Sequence, residues 1–323
     1  MATSAVAPAE DTLSWAIAAV TLSLGLVGTT GLLRAGRGLR GTTLLAPWRW
    51  ACLSFALLAF GEVLLACQAC EAASLWPFHV RYLAGTTTLA PYVALLGAKR
   101  PQDRAWQWIV LALLVFLALP SGKALLFNDG GRPSPHTAWR MLLAVLLASQ
   151  LVNHLPTRFW PSAALLSLAQ LAWLVGYLPG GDAVPFGYLP LAGLAPATAA
   201  IWLAHWPAPK ARSRRRPIDR VWLDFRDAYG ALWALRVAER FNASAAKYGW
   251  PARLAWDGLG AQEVGGEKRA AREVNCRGQE LESVGQDAGD EATAAMSEHL
   301  NALLLRFVSR EWIRHRLGRD GSY

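Results

Sequence analysis

The chain has 323 residues, 54% of them hydrophobic and only 17% charged, with a formal net charge of +9. Water-soluble domains carry roughly 25% charged residues, so this composition excludes an ordinary soluble enzyme over most of the length. The charge is also unevenly spread: residues 1–209 hold 12 Lys/Arg and 7 Asp/Glu, whereas residues 210–323 hold 20 and 16.

Residues 1–11 contain no Lys or Arg and end in Glu10 and Asp11, which does not match the basic start of a secretory signal. Seven apolar stretches follow, near 12–33, 48–70, 77–98, 105–121, 138–156, 161–179 and 185–206. Each approaches the roughly 20 residues that a helix needs to cross a ~30 Å hydrocarbon core. The fourth is the weakest, because its apolar run stops at Pro120-Ser121-Gly122-Lys123, with Ala124–Phe127 as an extension beyond a kink. Trp residues cluster at the stretch ends, among them Trp15, Trp48, Trp76, Trp106, Trp160 and Trp206, as in an aromatic belt at headgroup depth.

The loops alternate in charge. Arg34, Arg37, Arg40 and Arg49 surround the first loop, and Lys99, Arg100 and Arg104 the third. Arg158 follows the fifth stretch, and Lys210 with Arg212, Arg214, Arg215 and Arg216 the seventh. The other loops carry Glu71 and Asp182 and fewer cations. The positive-inside rule then places the N-terminus outside and the C-terminus in the cytoplasm, in a plasma (inner) membrane. The Ala-, Leu-, Arg- and Trp-rich usage suggests a bacterial chain from a GC-rich genome.

The basic linker 210–217 reads as a topological flank. In the tail 218–323, apolar residues of 218–248 recur at spacings of three and four, from Val221 and Trp222 to Phe241. Residues 257–290, rich in Gly, Glu and Gln, read as a flexible loop. A second amphipathic helix is expected over 291–317, with Ser309 restarting it as an N-cap. The two stripes can meet each other, a cytoplasmic protein partner or the membrane face. No strand and no repeat is expected. The expected fold is all-α: a polytopic bundle of seven transmembrane helices with a small helical cytoplasmic C-terminal region.

Chemistry is legible in few places. Glu62 lies inside the second stretch, roughly 12 Å from its outer end by helical rise. Spans 2 and 3 form a hairpin centred near residue 72, which sets Arg81 at a similar depth on the adjacent helix. An intramembrane carboxylate is costly and calls for a partner, so Glu62 and Arg81 form a candidate ion pair or ligand site.

Cys67-Gln68-Ala69-Cys70 has the C-x-x-C spacing of a redox pair, on the oxidising side. Packing or a structural disulfide explains it as well. The next residue is Glu71, not His, which departs from the c-type haem motif. Cys67, Cys70, Glu71 and His79 follow no closed metal-site spacing, so no metal and no cofactor is expected.

Gln150, Asn153 and His154 share a helical face near Arg158, as an inner vestibule for an anionic solute or as interhelical glue. Gln170 and Thr86-Thr87-Thr88, just before Pro91, are polar groups within further stretches. No zincin, P-loop, nucleophile-elbow or dinucleotide motif occurs in a fitting context, the seventh stretch has no Lys for a Schiff base, and the sequon at Asn242 is expected to be silent. Three function classes stay open: a non-enzymatic sensor-like or assembly component whose tail docks a partner, a small-solute or proton-coupled transporter using Glu62 and Arg81, and a thiol–disulfide oxidoreductase using Cys67 and Cys70. No nucleic-acid partner is expected.

Overall fold

The computed structural model describes residues 7–67, 76–127, 132–181, 191–206, 215–261 and 279–317. The chain divides into two compact units, Met1–Pro207 and Ala208–Tyr323. It is mostly helical.

The first unit runs α1 (Ala7–Gly36), α2 (Leu45–Cys67), α3 (Trp76–Thr87), α4 (Ala90–Leu96), α5 (Asp103–Leu126), α6 (Thr137–His154), α7 (Trp160–Leu174) and α8 (Leu194–Leu203). Three helical segments are long and apolar enough to cross a membrane: Trp15–Leu39, Leu45–Ala66 and Asp103–Leu126. Hydroxyls on these helices are satisfied without water: Thr21 donates to the Ile17 carbonyl at 2.8 Å and Thr29 to that of Gly25 at 2.7 Å.

Small residues let the helices approach. A Cβ on Gly28 would sit 2.1 Å from the Phe55 ring, and one on Gly36 would sit 2.5 Å from the Trp48 ring. Such close contact replaces the hydrophobic drive that helices lack when lipid surrounds them. Trp indoles add bonds to neighbouring backbone: Trp48 to the Leu32 carbonyl at 2.8 Å and Trp202 to that of Val27 at 3.1 Å. These two tryptophans therefore do more than mark an interface. A hydrophobic core in this unit gathers Phe55, Leu58, Tyr82, Leu117, Leu143, Trp173, Tyr177 and Leu194.

The expected stretches and the observed helices differ in places. The third is two helices, because α3 ends at Thr87 and α4 begins at Ala90. Pro91 has no N–H to continue the ladder. The fourth runs through Pro120 to Leu126. The sixth ends at Leu174 and passes into a 3-10 turn, Val175–Tyr177. Of the seventh, Leu194–Leu203 is helical, and 182–190 lie outside the described residues. Only the first, second and fourth stretches contain one of the three long helices.

The second unit is built on α9 (Pro217–Tyr248), which breaks at Gly230, where φ is 78° and ψ is −178°. Only glycine adopts that backbone without strain. A hairpin follows, β1 (Ala252–Ala255) and β2 (Gly258–Ala261), antiparallel with Ala255 opposite Gly258. Two residues, Trp256 and Asp257, make the turn. The expectation of no strand is corrected here, as is that of a flexible loop from 257, since α10 (Gln279–Leu304) also begins inside that range. Then comes α11 (Arg310–Leu317), capped by the Ser309 hydroxyl, which accepts from the Trp312 N–H at 3.2 Å.

The two apolar stripes of the tail pack on each other. Phe307 meets Phe225, Tyr229 and Trp233 with ring centroids 5.0 to 5.3 Å apart. The Tyr229 hydroxyl, next to the helix break, donates to the Phe307 carbonyl at 3.0 Å. Asn242 clamps the hairpin, donating to the Leu254 carbonyl at 3.1 Å and accepting from its N–H at 2.8 Å. Asp219 accepts from the Leu259 N–H at 2.9 Å, and Trp222 donates to the Ala255 carbonyl at 3.1 Å.

Candidate functional site

The polar residues of the first unit gather inside it. The gathering begins with the backbone. Proline at 91 leaves the Thr87 carbonyl, four residues earlier, without its helical donor. The Ser54 hydroxyl of α2 supplies one at 2.6 Å. The three threonines turn back onto their own helix, donating to Leu83, Ala84 and Gly85 carbonyls at 2.6 to 2.9 Å. The Thr88 carbonyl accepts instead from the Gln170 side chain of α7 at 3.2 Å.

Gln170 is fully buried and reaches further. Its amide also meets Thr88 Oγ1 at 3.2 Å. Gln150 of α6 donates to Gln170 Oε1 at 2.9 Å, and Gln170 donates back to Gln150 Oε1 at 3.3 Å. Three elements are thus tied at one level: the α3–α4 break, α6 and α7.

Glu62 of α2 is buried and meets α7 one turn beyond Gln170. Trp173 donates its indole N–H to Glu62 Oε1 at 3.1 Å. Trp173 is itself confined, since a Cβ on Gly193 would lie 2.0 Å from its indole nitrogen. Arg81 of α3 is half-buried and donates to the Ala172 carbonyl at 3.1 Å. The two residues that sequence placed at one depth therefore reach adjacent residues of α7.

A second proline repeats the first pattern. Pro120 in α5 frees the Phe116 carbonyl, which accepts from the Trp139 indole of α6 at 3.1 Å. The Leu117 carbonyl accepts from the Tyr82 hydroxyl at 2.7 Å. Ser121 shares a 2.8 Å hydrogen bond with His79 Nδ1, and both are buried. Tyr177 donates to the Phe78 carbonyl at 2.9 Å and meets Tyr82 edge-on at 4.7 Å.

Ser167, Gln170, Trp173 and Tyr177 form one buried line along α7 and the turn after it. Ten residues at ~1.5 Å each make this line about 15 Å long, half the thickness of a hydrocarbon core.

The other predicted site residues are arranged differently. Gln150 lies inside the bundle with Gln170, and Asn153 is buried one turn on, 3.4 Å from His154 Nε2. Arg158 is exposed and stacks on the Phe159 ring at 4.5 Å. The four expected vestibule residues thus split between the interior and the surface. Cys67 is the last residue of α2, and Cys70 lies outside the described residues, as does Glu71.

Sequence reasoning missed Ser54, Tyr82, Trp139 and Trp173 as members of this seam. The prolines carried a usable signal, because each names the carbonyl it frees. The chain carries no signal for which distant donor arrives.

Comparison with known protein families, with characterised proteins and with solved structures finds no match for this chain. Within the seam, side-chain donors meet backbone carbonyls and one another across α2, α3, α5, α6 and α7, an arrangement that holds a helix break in place.

Proposed function

We propose that the chain is an integral membrane protein with seven crossings, N-terminus outside, acting as a non-enzymatic sensor-like or assembly component whose folded cytoplasmic unit docks a partner. One observation carries the membrane reading: the polarity of the bundle is inverted. Glu62 is 4% exposed while Phe60 is 62% exposed; Gln170 is 0% while Leu168 is 56%. Gln150 is 6% exposed while Val152 is 60%. Water would reverse each of these pairs, and lipid favours each as it stands. Two of them lie on α6 and α7, helices that are not both long and apolar enough to qualify alone. Helices α3 and α4, joined at the tied break, cover Trp76–Leu96 and serve as one crossing in two pieces.

The docking reading rests on the second unit. Its apolar stripes are consumed internally, so a partner reached through 218–248 or 291–317 meets the outward faces, which carry Leu235 and Tyr248 exposed on α9. A unit with its own aromatic core supplies a fixed surface, as an assembly component requires.

Glu62 favours a second reading, proton-coupled transport. A carboxyl buried among helices is the group such a carrier needs. Reconstitution into vesicles with a trapped pH dye separates the two. The docking component gives no proton flux with native protein or with Glu62→Gln. A transporter gives flux that Glu62→Gln abolishes. The oxidoreductase reading gains no support from the described residues.

A further inference from the structure

The loops expected on the cytoplasmic side come together at one end of the first unit. Thr43 donates to the Ala98 carbonyl at 2.5 Å, and Arg100 to that of Gly41 at 3.2 Å. Trp50 of α2 donates to Gln107 Oε1 of α5 at 2.7 Å. Gly36 packs on Trp48. These contacts collect Arg34, Arg37, Arg40, Arg49, Arg100 and Arg104, all exposed, on one end, with Asp103 the one acid in those segments. Beside them an open groove of about 310 Å³ runs between α2 and α5, lined by Ala46, Arg49, Trp50, Leu53 and Gln107.

We propose that this groove binds an anionic glycerophospholipid of the inner leaflet. The chemistry is complementary at both ends. Arg49 is exposed and makes no ion pair among the described residues, and a guanidinium takes a phosphodiester with two parallel N–H bonds. On the same helix, Ala46, Trp50 and Leu53 offer an apolar wall of acyl-chain character. Gln107 is held in place in the wall, its carbonyl oxygen accepting from Trp50 and its amide donating to the Asp103 carbonyl at 2.7 Å. The surrounding arginines add a field of one sign, each worth roughly 1 kcal/mol toward an anionic surface. A positive-inside flank alone needs the charge. It does not need an apolar groove whose walls are tied by an indole–amide bond.

The proposal rests on the membrane reading, and its test keeps the two apart. Full-length protein in neutral detergent is titrated with phosphatidylglycerol or phosphatidylcholine while thermal unfolding is followed. Phosphatidylglycerol should raise the midpoint saturably and phosphatidylcholine should not. Arg49→Gln should weaken the apparent affinity about fivefold while leaving the lipid-free midpoint in place. Leu53→Trp, at an exposed groove position, should abolish the effect by filling the groove, and it serves if Arg49→Gln fails to fold. Equal stabilisation by both lipids, a response unchanged in the folded variants, or an effect reproduced by inorganic phosphate would each overturn the site. A chain that stays soluble without detergent and responds to neither lipid would overturn the membrane reading itself.

Discussion

Trp173 donates its indole N–H to Glu62 across 3.1 Å, and Gly193 leaves the space in which that indole sits. A Glu on α2 is thereby held by a side chain 111 residues later. Removing the donor while keeping an aromatic ring isolates the bond. Trp173→Phe should cost about 1–2 kcal/mol, read as a lower thermal midpoint in detergent. Glu62→Gln retains an acceptor oxygen and should cost less than half as much.

The Ser54 hydroxyl occupies a carbonyl that Pro91 has freed. Its value should vanish when the backbone can satisfy itself. Ser54→Ala should cost about 1 kcal/mol in the native background and little in a Pro91→Ala background, a coupling of about 0.5–1.5 kcal/mol in a double-mutant cycle. Additive costs would show that Ser54 does not act through the Thr87 carbonyl.

Gln150 and Gln170 bond to each other reciprocally. Replacing one leaves the other amide without this partner, and replacing both removes that mismatch, leaving only the Thr88 carbonyl without the Gln170 donor. Each single change to Leu should cost about 1–2 kcal/mol, and the double change should cost less than the sum. Thermal unfolding of the three variants decides it.

Much of this was legible in the chain, for identifiable reasons. Apolar runs mark the helices of the first unit, because a helix that is to cross lipid has to be apolar along its length. The Glu62–Arg81 depth match follows from hairpin symmetry alone. The stripes of 218–248 and 291–317 follow from a 3.6-residue period, and Ser309 from capping chemistry. The missing parts depend on distant contacts or on weak local signals. Trp173 reads as one of 16 tryptophans until the fold sets it against Glu62. The hairpin escapes because Ala252–Ala255 and Gly258–Ala261 contain no β-branched or aromatic residue. Gly230 sits in an unbroken apolar rhythm that gives no hint of its left-handed φ.

Asn242 stands in for a strand by bonding both backbone groups of Leu254. Asn242→Ala should loosen the hairpin without unfolding the aromatic core. The Leu254 amide should lose about 1–3 kcal/mol of protection in hydrogen exchange, while the amides of Phe225 and Phe307 keep theirs.

An inverted bundle crossed seven times puts the loop after α4 on the opposite side of the membrane from the loop after α2. Single-cysteine variants carrying native Cys70, Gln102→Cys or native Cys276 are labelled in intact cells with a membrane-impermeant maleimide, and again after permeabilisation. Seven crossings predict that Cys70 labels in intact cells, while the thiols at 102 and 276 label only after permeabilisation. If only the three long helices cross, positions 70 and 102 share a side, and labelling of both in intact cells would contradict the account.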